Sequence, residues 1–334
     1  MIKVKPLLDV LVTGGGGFVG GNFVRLALEE RKDWRITVVD SLGGRDLCPV
    51  LDGMGEMHPG RFRLEKMDLV DEGLGRLFDE GEFRFVLHFA AKNPSGKDIG
   101  SPYDFAEINV ERTVRLLEEV KRSARRRDVR FVHLSSYEVY GTMKDRPFAE
   151  CDPLDPTTPY AASKAGADLF AFAYGKTFGL DIVSTRTTNI YGPFQSRDKL
   201  IPMVIRKALD RQEITVFGDG SIRRDWIYVD DHNHGVMKAL ENGKPGGIYH
   251  IGANCERSQV QVIDEVLKNL AERTGSRPDE LRRLVACSQG RPTEDPRRTL
   301  DAGKAQRELS FRCRYSFEEG ISGAVGHFIA EEMQ

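Results

Sequence analysis

Short runs rich in apolar and β-branched residues recur along the first half of the chain: Val10 to Thr13, Ile36 to Asp40, Phe62 to Glu65, Phe85 to Phe89 and Phe131 to Ser135, with another at Asp181 to Thr185. Between them, Val19 to Glu30, Asp104 to Arg122 and Ala161 to Phe178 carry apolar residues at helical spacing. This alternation predicts an α/β fold, a doubly wound parallel sheet with helices on both faces. After Tyr191 the elements shorten and are punctuated by Gly192-Pro193, Gly218-Asp219-Gly220, Pro245-Gly246-Gly247 and Arg291-Pro292. A smaller C-terminal lobe is expected from there. Ile248 to Ile251 again has the pattern of a buried strand, so the chain is expected to return to the sheet near 246–252. The predicted division is 1–190 with that return strand, and 191–334.

A chain of 334 residues, 40% of them hydrophobic, can bury a full core. Its 49 basic and 51 acidic residues leave a formal charge of -2, which supplies no field for nucleic acid. The dense basic run from Lys121 to Arg127 falls at a predicted helix end, where it complements the negative end of the dipole. No apolar stretch reaches the roughly 20 residues needed to span a bilayer, and Met1 leads into the first strand without a signal pattern. A cytoplasmic protein is expected. Cys48, Cys151, Cys255, Cys287 and Cys313 form no C-x-x-C pair and have no histidine at ligand spacing, so reduced packing cysteines and no metal are predicted.

Chemistry enters between the first strand and the first helix. Gly14, Gly17 and Gly20 form G-x-x-G-x-x-G, placing glycine where the chain must turn tightly, approach a pyrophosphate and pack helix on sheet. The helix N-terminus then offers N–H groups and a positive dipole end to phosphates. Glycines alone would fit an ordinary turn. Asp40, twenty residues after Gly20 at the end of the second strand, adds a carboxylate that accepts from ribose hydroxyls and repels a 2′-phosphate. The reading is a Rossmann-type site for NAD rather than NADP. Asp68 serves either the adenine amino group or a helix N-cap.

Tyr160-Ala161-Ala162-Ser163-Lys164 sets a phenol and an ammonium one turn apart on one helix face. The cation is expected to lower the phenol's pKa and make it a usable base for a sugar hydroxyl. Ser136, 24 residues upstream at a strand end, is placed to orient the same hydroxyl.

At these residues the chain resembles the extended short-chain dehydrogenase/reductases, and among them the dTDP-glucose 4,6-dehydratases. The likeness covers nearly the whole length. It rests on Thr13 to Gly20, His88-Phe89-Ala90-Ala91, Asn109-Val110, Ser135 to Gly141, Pro159 to Lys164, Asn189 to Pro193, Lys199-Leu200-Ile201-Pro202, Gly218-Asp219-Gly220, Arg224-Asp225-Trp226 and Arg291-Pro292. The resemblance implies a homodimer paired through the helices at 104–122 and 161–178. It also implies NAD contacts at Gly14, Gly17, Phe18, Val19, Gly20, Asp40, Ser41, Asp68, Leu69, Phe89, Ala90 and Ala91, with Tyr160 and Lys164 beside the nicotinamide. Tyr160 would take the proton of the sugar C4 hydroxyl as hydride leaves C4, and Glu138 would then remove the C5 proton. Water would leave C5 and C6, and hydride would return to C6.

The sequence departs from that family at three places. Tyr137 stands where an aspartate protonates the departing C6 hydroxyl; its phenol, still protonated at neutral pH, remains a possible donor. Lys92-Asn93-Pro94-Ser95-Gly96-Lys97 replaces the usual Glu-Ser-His-Val-Asp-Arg, and Glu294 replaces a histidine near the nucleotide. Decarboxylation of a glucuronate, 4-epimerisation and formation of a 5,6-alkene share the 4-keto stage and stay open as alternatives. A non-catalytic NAD-binding protein also stays open, although it need not keep Ser136, Tyr160, Lys164 and Glu138 together. For the nucleoside diphosphate, the resemblance points to Arg224 and Arg291, whose planar forks suit phosphate, with Asn189, Lys199 and Leu200 completing the cradle. Phe217 either lies against the base or belongs to the core. His88 is expected to be structural, and Asn109 either holds a backbone bend near Lys164 or is ordinary helix polarity.

Overall fold

A computed structural model describes residues 7–44, 47–94, 101–123, 128–143, 145–288 and 295–332. Seven strands form a wholly parallel sheet: β1 (Leu8–Thr13), β2 (Trp34–Asp40), β3 (Phe62–Lys66), β4 (Phe83–His88), β5 (Arg130–Ser136), β6 (Asp181–Thr187) and, after a long excursion, β10 (Ile248–Ile251). Their order is β10-β6-β5-β4-β1-β2-β3. The order reverses at the β1/β4 junction, and an open α/β sheet has its binding crevice outside the carboxyl ends of the strands at such a point. The centres of β1 and β4 are sealed on both faces: Val10, Leu11, Val12, Val86 and Leu87 are each 0% exposed. That is why these strands read as continuous apolar runs rather than alternating ones.

Helices Phe18–Glu30 and Val229–Asn242 cover one face with one apolar cluster, in which Phe23, Val24, Val236 and Leu240 meet Val10, Ile36 and Ile251. Arg112–Arg122 and Pro159–Phe178 cover the other, where Leu116, Leu117 and Ala171 meet Leu11, Val86 and Phe131. The helical stretch expected over Asp104 to Arg122 is present, but not as one regular helix. A turn at Pro102–Phe105 passes through a π-helical segment, Ala106–Glu111, before the α-helix Arg112–Arg122. Such wide turns recur at functional sites, and this one carries the fully buried Asn109.

Remaining strands lie outside the large sheet. They are β7 (Asn189–Tyr191), β8 (Ile214–Phe217), β9 (Arg223–Tyr228), β11 (Glu256–Ser258), β12 (Val285–Ser288) and β13 (Arg297–Arg298). Strand β9 is the hub, pairing with β7, β11 and β13. A separate apolar cluster sits beneath it, built from Ile201 and Ile205, Val262 and Leu270, and Ile321 and Phe328. The lobe around β9 therefore has an apolar cluster of its own, and helix Val229–Asn242, although late in sequence, packs in the sheet's instead.

Candidate active site

The glycine turn is shaped by close approach. Gly14 has φ +72°, and a Cβ there would lie 2.4 Å from the backbone nitrogen of Ala90 at the end of β4. At Gly20 a Cβ would lie 2.4 Å from the carbonyl oxygen of Gly14. A side chain at either position would push the turn off the sheet. Gly17 caps the helix beginning at Phe18–Val19, with no side-chain hydrogen bond to its first N–H groups. Those donors are free for an anion, as a dinucleotide's pyrophosphate requires.

At the end of β2, Asp40 is 8% exposed. Its carboxylate accepts from the amides of Gly16 at 2.9 Å and Leu42 at 2.7 Å, which fixes it beside the glycine turn and leaves lone pairs for ribose hydroxyls. Ser41 follows it on the exposed side, and Phe89, Ala90 and Ala91 continue from β4 along the same edge. After β3, Asp68 is engaged within the protein: it pairs with Arg112 at 2.8 Å and accepts from the amide of Val70, while neighbouring Leu69 is buried.

Strand β5 ends in Ser136, whose hydroxyl accepts from the amide of Glu138 at 3.2 Å and so starts a single tight turn, Tyr137–Tyr140. Gly141 closes it at φ +74°, with the carbonyl of Asp155 where a Cβ would be. Facing this turn is the first turn of helix Pro159–Phe178, capped by Thr158. Its Tyr160 is 8% exposed and donates to Asn93 Oδ1 at 2.8 Å. The structure thus brings Ser136, Tyr137, Glu138, Tyr160 and Lys164 together at the carboxyl ends of β5 and its neighbours.

The pKa expectation for Tyr160 is corrected. Burial, with the charge of Glu138 behind it, raises the phenol's pKa well above its usual value. Lys164 does not offset this, because its buried ammonium donates instead to the carbonyl of Leu134 at 2.6 Å. Burial pushes Lys164 down to about 8. Tyr137 is also held protonated: burial, then Glu138, push it up to about 12, and its hydroxyl donates to Asn189 Oδ1 at 2.8 Å. Glu138 is raised by burial and opposed by Arg298 and Arg224.

One continuous hydrogen-bonded path ties the two halves of the site. The hydroxyl of Thr13 meets His88 Nδ1 at 2.7 Å, and His88 Nε2 meets Thr113 at 2.8 Å. Thr113 donates to the carbonyl of Asn109, Asn109 donates to Ser163, and Ser163 donates to the carbonyl of Tyr160. Asn109 also clamps the backbone of Lys92 from both sides, at 2.7 and 3.0 Å. The π-helical turn is what aims it there.

Beyond the sheet, Lys199 caps helix Leu200–Leu209 and donates to the carbonyl of Pro94 at 2.9 Å. Arg224 lies on β9, and its charge opposes the rise in the Tyr137 pKa. Arg291 and Glu294 lie outside the described residues, as does the side chain of Phe217. Two groups escaped the sequence reading. Asn93 reaches Tyr160 from a segment noticed only as a departure, and Arg298 reaches Glu138 across 160 residues of chain with no local motif to announce it. All five cysteines are free. Among the described residues no group of three or more ligating side chains could hold a metal, and no helix is long and apolar enough to cross a membrane.

A sequence profile for the family described as GDP-mannose 4,6 dehydratase matches residues 11–323. The dTDP-glucose 4,6-dehydratase of Streptomyces niveus is 37% identical over 326 residues, covering 95% of this chain and 92% of the relative. The dTDP-glucose 4,6-dehydratase of Streptomyces venezuelae, solved with NAD and TYD bound, superposes with a TM-score of 0.86 at 35% identity over 98% of both chains. The UDP-glucose 4-epimerase of Thermotoga maritima, solved with UDP-glucose, has a TM-score of 0.85 at 25% identity over 98% of this chain and all of that one. Matched by that family's profile over most of its length and sharing more than a third of its residues with such a dehydratase, this chain belongs to the GDP-mannose 4,6-dehydratase family of extended short-chain dehydrogenase/reductases.

Proposed function

We propose that the protein is an NAD-dependent nucleotide-sugar 4,6-dehydratase. The observation that carries this is the placing of two candidate bases side by side: Glu138, in the tight turn that Ser136 starts, and Tyr160, in the helix turn that faces it. Simple exchange of a C4 hydride needs only the first. Gly14, Gly17, Phe18, Val19 and Gly20 would hold the pyrophosphate of NAD, Asp40 and Ser41 would accept and donate at its adenosine ribose, and Asp68, Leu69, Phe89, Ala90 and Ala91 would line the rest of its site. Once bound, it supplies the hydride acceptor and later the donor. Once its own proton has been released, Tyr160 as phenolate takes the C4 hydroxyl proton, with Ser136 orienting that oxygen and Lys164 fixing the helix turn against β5. Glu138 then removes the C5 proton, its electron pair moving towards the C4 ketone. Tyr137 gives its proton to the departing C6 hydroxyl. Water is lost, and the net redox change is zero.

Residues 1–190, with strand β10 and helix Val229–Asn242 returning to them, form the cofactor half, and the rest of 191–334 provides the nucleotide-sugar lobe. Asn189, Lys199, Leu200, Phe217, Arg224 and Arg291 are the proposed contacts of the nucleoside diphosphate. The test is product analysis by mass and NMR after incubation with NAD and dTDP-glucose, UDP-glucose, UDP-N-acetylglucosamine or UDP-glucuronate. Loss of one water with a new C6 methyl group is expected from one of them. Loss of carbon dioxide, an exocyclic alkene or an isomer of unchanged mass would replace this reading. Tyr137→Phe should keep C4 oxidation and lower water loss by about a hundred-fold, the lower end of general-acid effects.

The protein pairs as a homodimer and works in the cytoplasm, where nucleotide sugars, NAD and free thiols coexist. Supporting the dimer, Tyr103, Leu169, Phe170 and Phe178 are exposed at 73%, 61%, 45% and 45%, all on the helical layer of 102–122 and 159–178. Large apolar side chains grouped in this way mark contact surfaces. Light scattering should give twice the chain mass, and Leu169→Glu with Phe170→Glu should give the monomer mass.

A further inference from the structure

The strongest arrangement that the family likeness leaves unassigned is the guanidinium on the second base. Arg298, at the end of β13, is 8% exposed. Its Nη1 lies 3.4 Å from Glu138 Oε2, and its Nη2 is hydrogen-bonded to Asp295. Asp295 is itself held by the hydroxyl of Thr142 at 2.6 Å. The guanidinium carbon also stands 6.0 Å from the Tyr137 ring centre, within range of a cation–π contact. Among the described residues its Nε–H has no acceptor.

We propose that Arg298 is the positioning residue of the C5 base: it holds the Glu138 carboxylate ionised and aimed, on a tether that runs through Asp295 to Thr142. The proposal rests on the dehydratase reading, in which Glu138 takes a carbon-bound proton.

The electrostatics follow from which groups face Glu138. Tyr137 adjoins it in its own turn, and Tyr160 faces it from helix Pro159–Phe178. Arg224 approaches from β9, Arg298 comes from β13, and Asp295 precedes that strand. Burial favours the neutral acid, whereas the two arginines favour the carboxylate. Arg298 is the one in ion-pair contact. Asp295 keeps the guanidinium in place yet adds a like charge, so the tether works only because Arg298 lies between the two carboxylates. With Arg298 gone, Glu138 would face Asp295 and its own burial, and would release its proton only at higher pH.

The test follows exchange of the sugar C5 hydrogen with deuterium from solvent, across pH, in the holoenzyme with the nucleotide sugar that it turns over. For Arg298→Met the acid limb of exchange should move up by about one pH unit, with most of the rate recovered on the alkaline side and the NADH burst of C4 oxidation still reaching its full amplitude. Arg298→Lys keeps the charge without the fork; its limb should stay within about 0.3 unit of the parent while its plateau falls several-fold, and this variant serves if the methionine protein does not fold. An equal loss at every pH, or a lysine limb displaced as far as the methionine one, would overturn the proposal. Absence of C5 exchange in the unaltered enzyme with every sugar would overturn the dehydratase reading as well, and so separates the two failures.

Discussion

Replacing Tyr160 by phenylalanine should lower formation of the 4-keto sugar by about a thousand-fold, within the range for removing a positioned acid–base group, while leaving the fold intact. The substitution deletes one oxygen. The ring keeps its edge-on packing against Phe105, at 5.7 Å between centres. Asn93, which accepts the phenol proton, is exposed and can turn to water, so no buried acceptor is stranded. Ser136 would remain in place to hold the substrate hydroxyl, with nothing to take its proton. The measurement is a single turnover followed by NADH absorbance, beside a thermal melt. A rate within tenfold of the parent would show that another group takes the proton. A melting temperature lowered by more than a few degrees would show that the phenol also supports the fold.

The main sheet was legible because its central strands are buried on both faces and its helices on one, so periodicity alone separates them. The glycine turn and Asp40 were legible because their task is local: a backbone that must touch Ala90, and a carboxylate that must end a strand. What periodicity could not show is geometry set at long range. The stretch 104–122 has helical spacing throughout, yet it widens by a π turn where Asn109 must clamp Lys92. Tyr160 and Lys164 share a helix face as expected, but the ammonium turns to the carbonyl of Leu134, and burial then dominates the phenol. Arg298 and Glu138 meet only because β13 pairs beside β9, a register that no spacing in the sequence foretells.

Glutamine at position 138 should separate the two halves of the reaction. Its amide oxygen can still accept from Arg298, so the side chain keeps its place while losing both charge and basicity. C4 oxidation should persist and enzyme-bound NADH should build up, with water loss slowed by about a thousand-fold and C5 exchange with it. The pH dependence should also move, in a direction set by the pocket. In the parent, the Glu138 carboxylate disfavours a neighbouring phenolate and raises the pKa of Tyr160. A neutral amide removes that repulsion, so the phenol gives up its proton more readily and the NADH burst should reach half its maximum at a lower pH than in the parent. Rapid-scan absorbance across pH, with quenched product analysis, reads both effects. Loss of the burst together with the product would place Glu138 in the first proton transfer rather than the second. A burst that persists but shifts to higher pH would mean that the glutamate stabilises the ionised tyrosine through its positioning, and that its charge is screened from the phenol by Arg298.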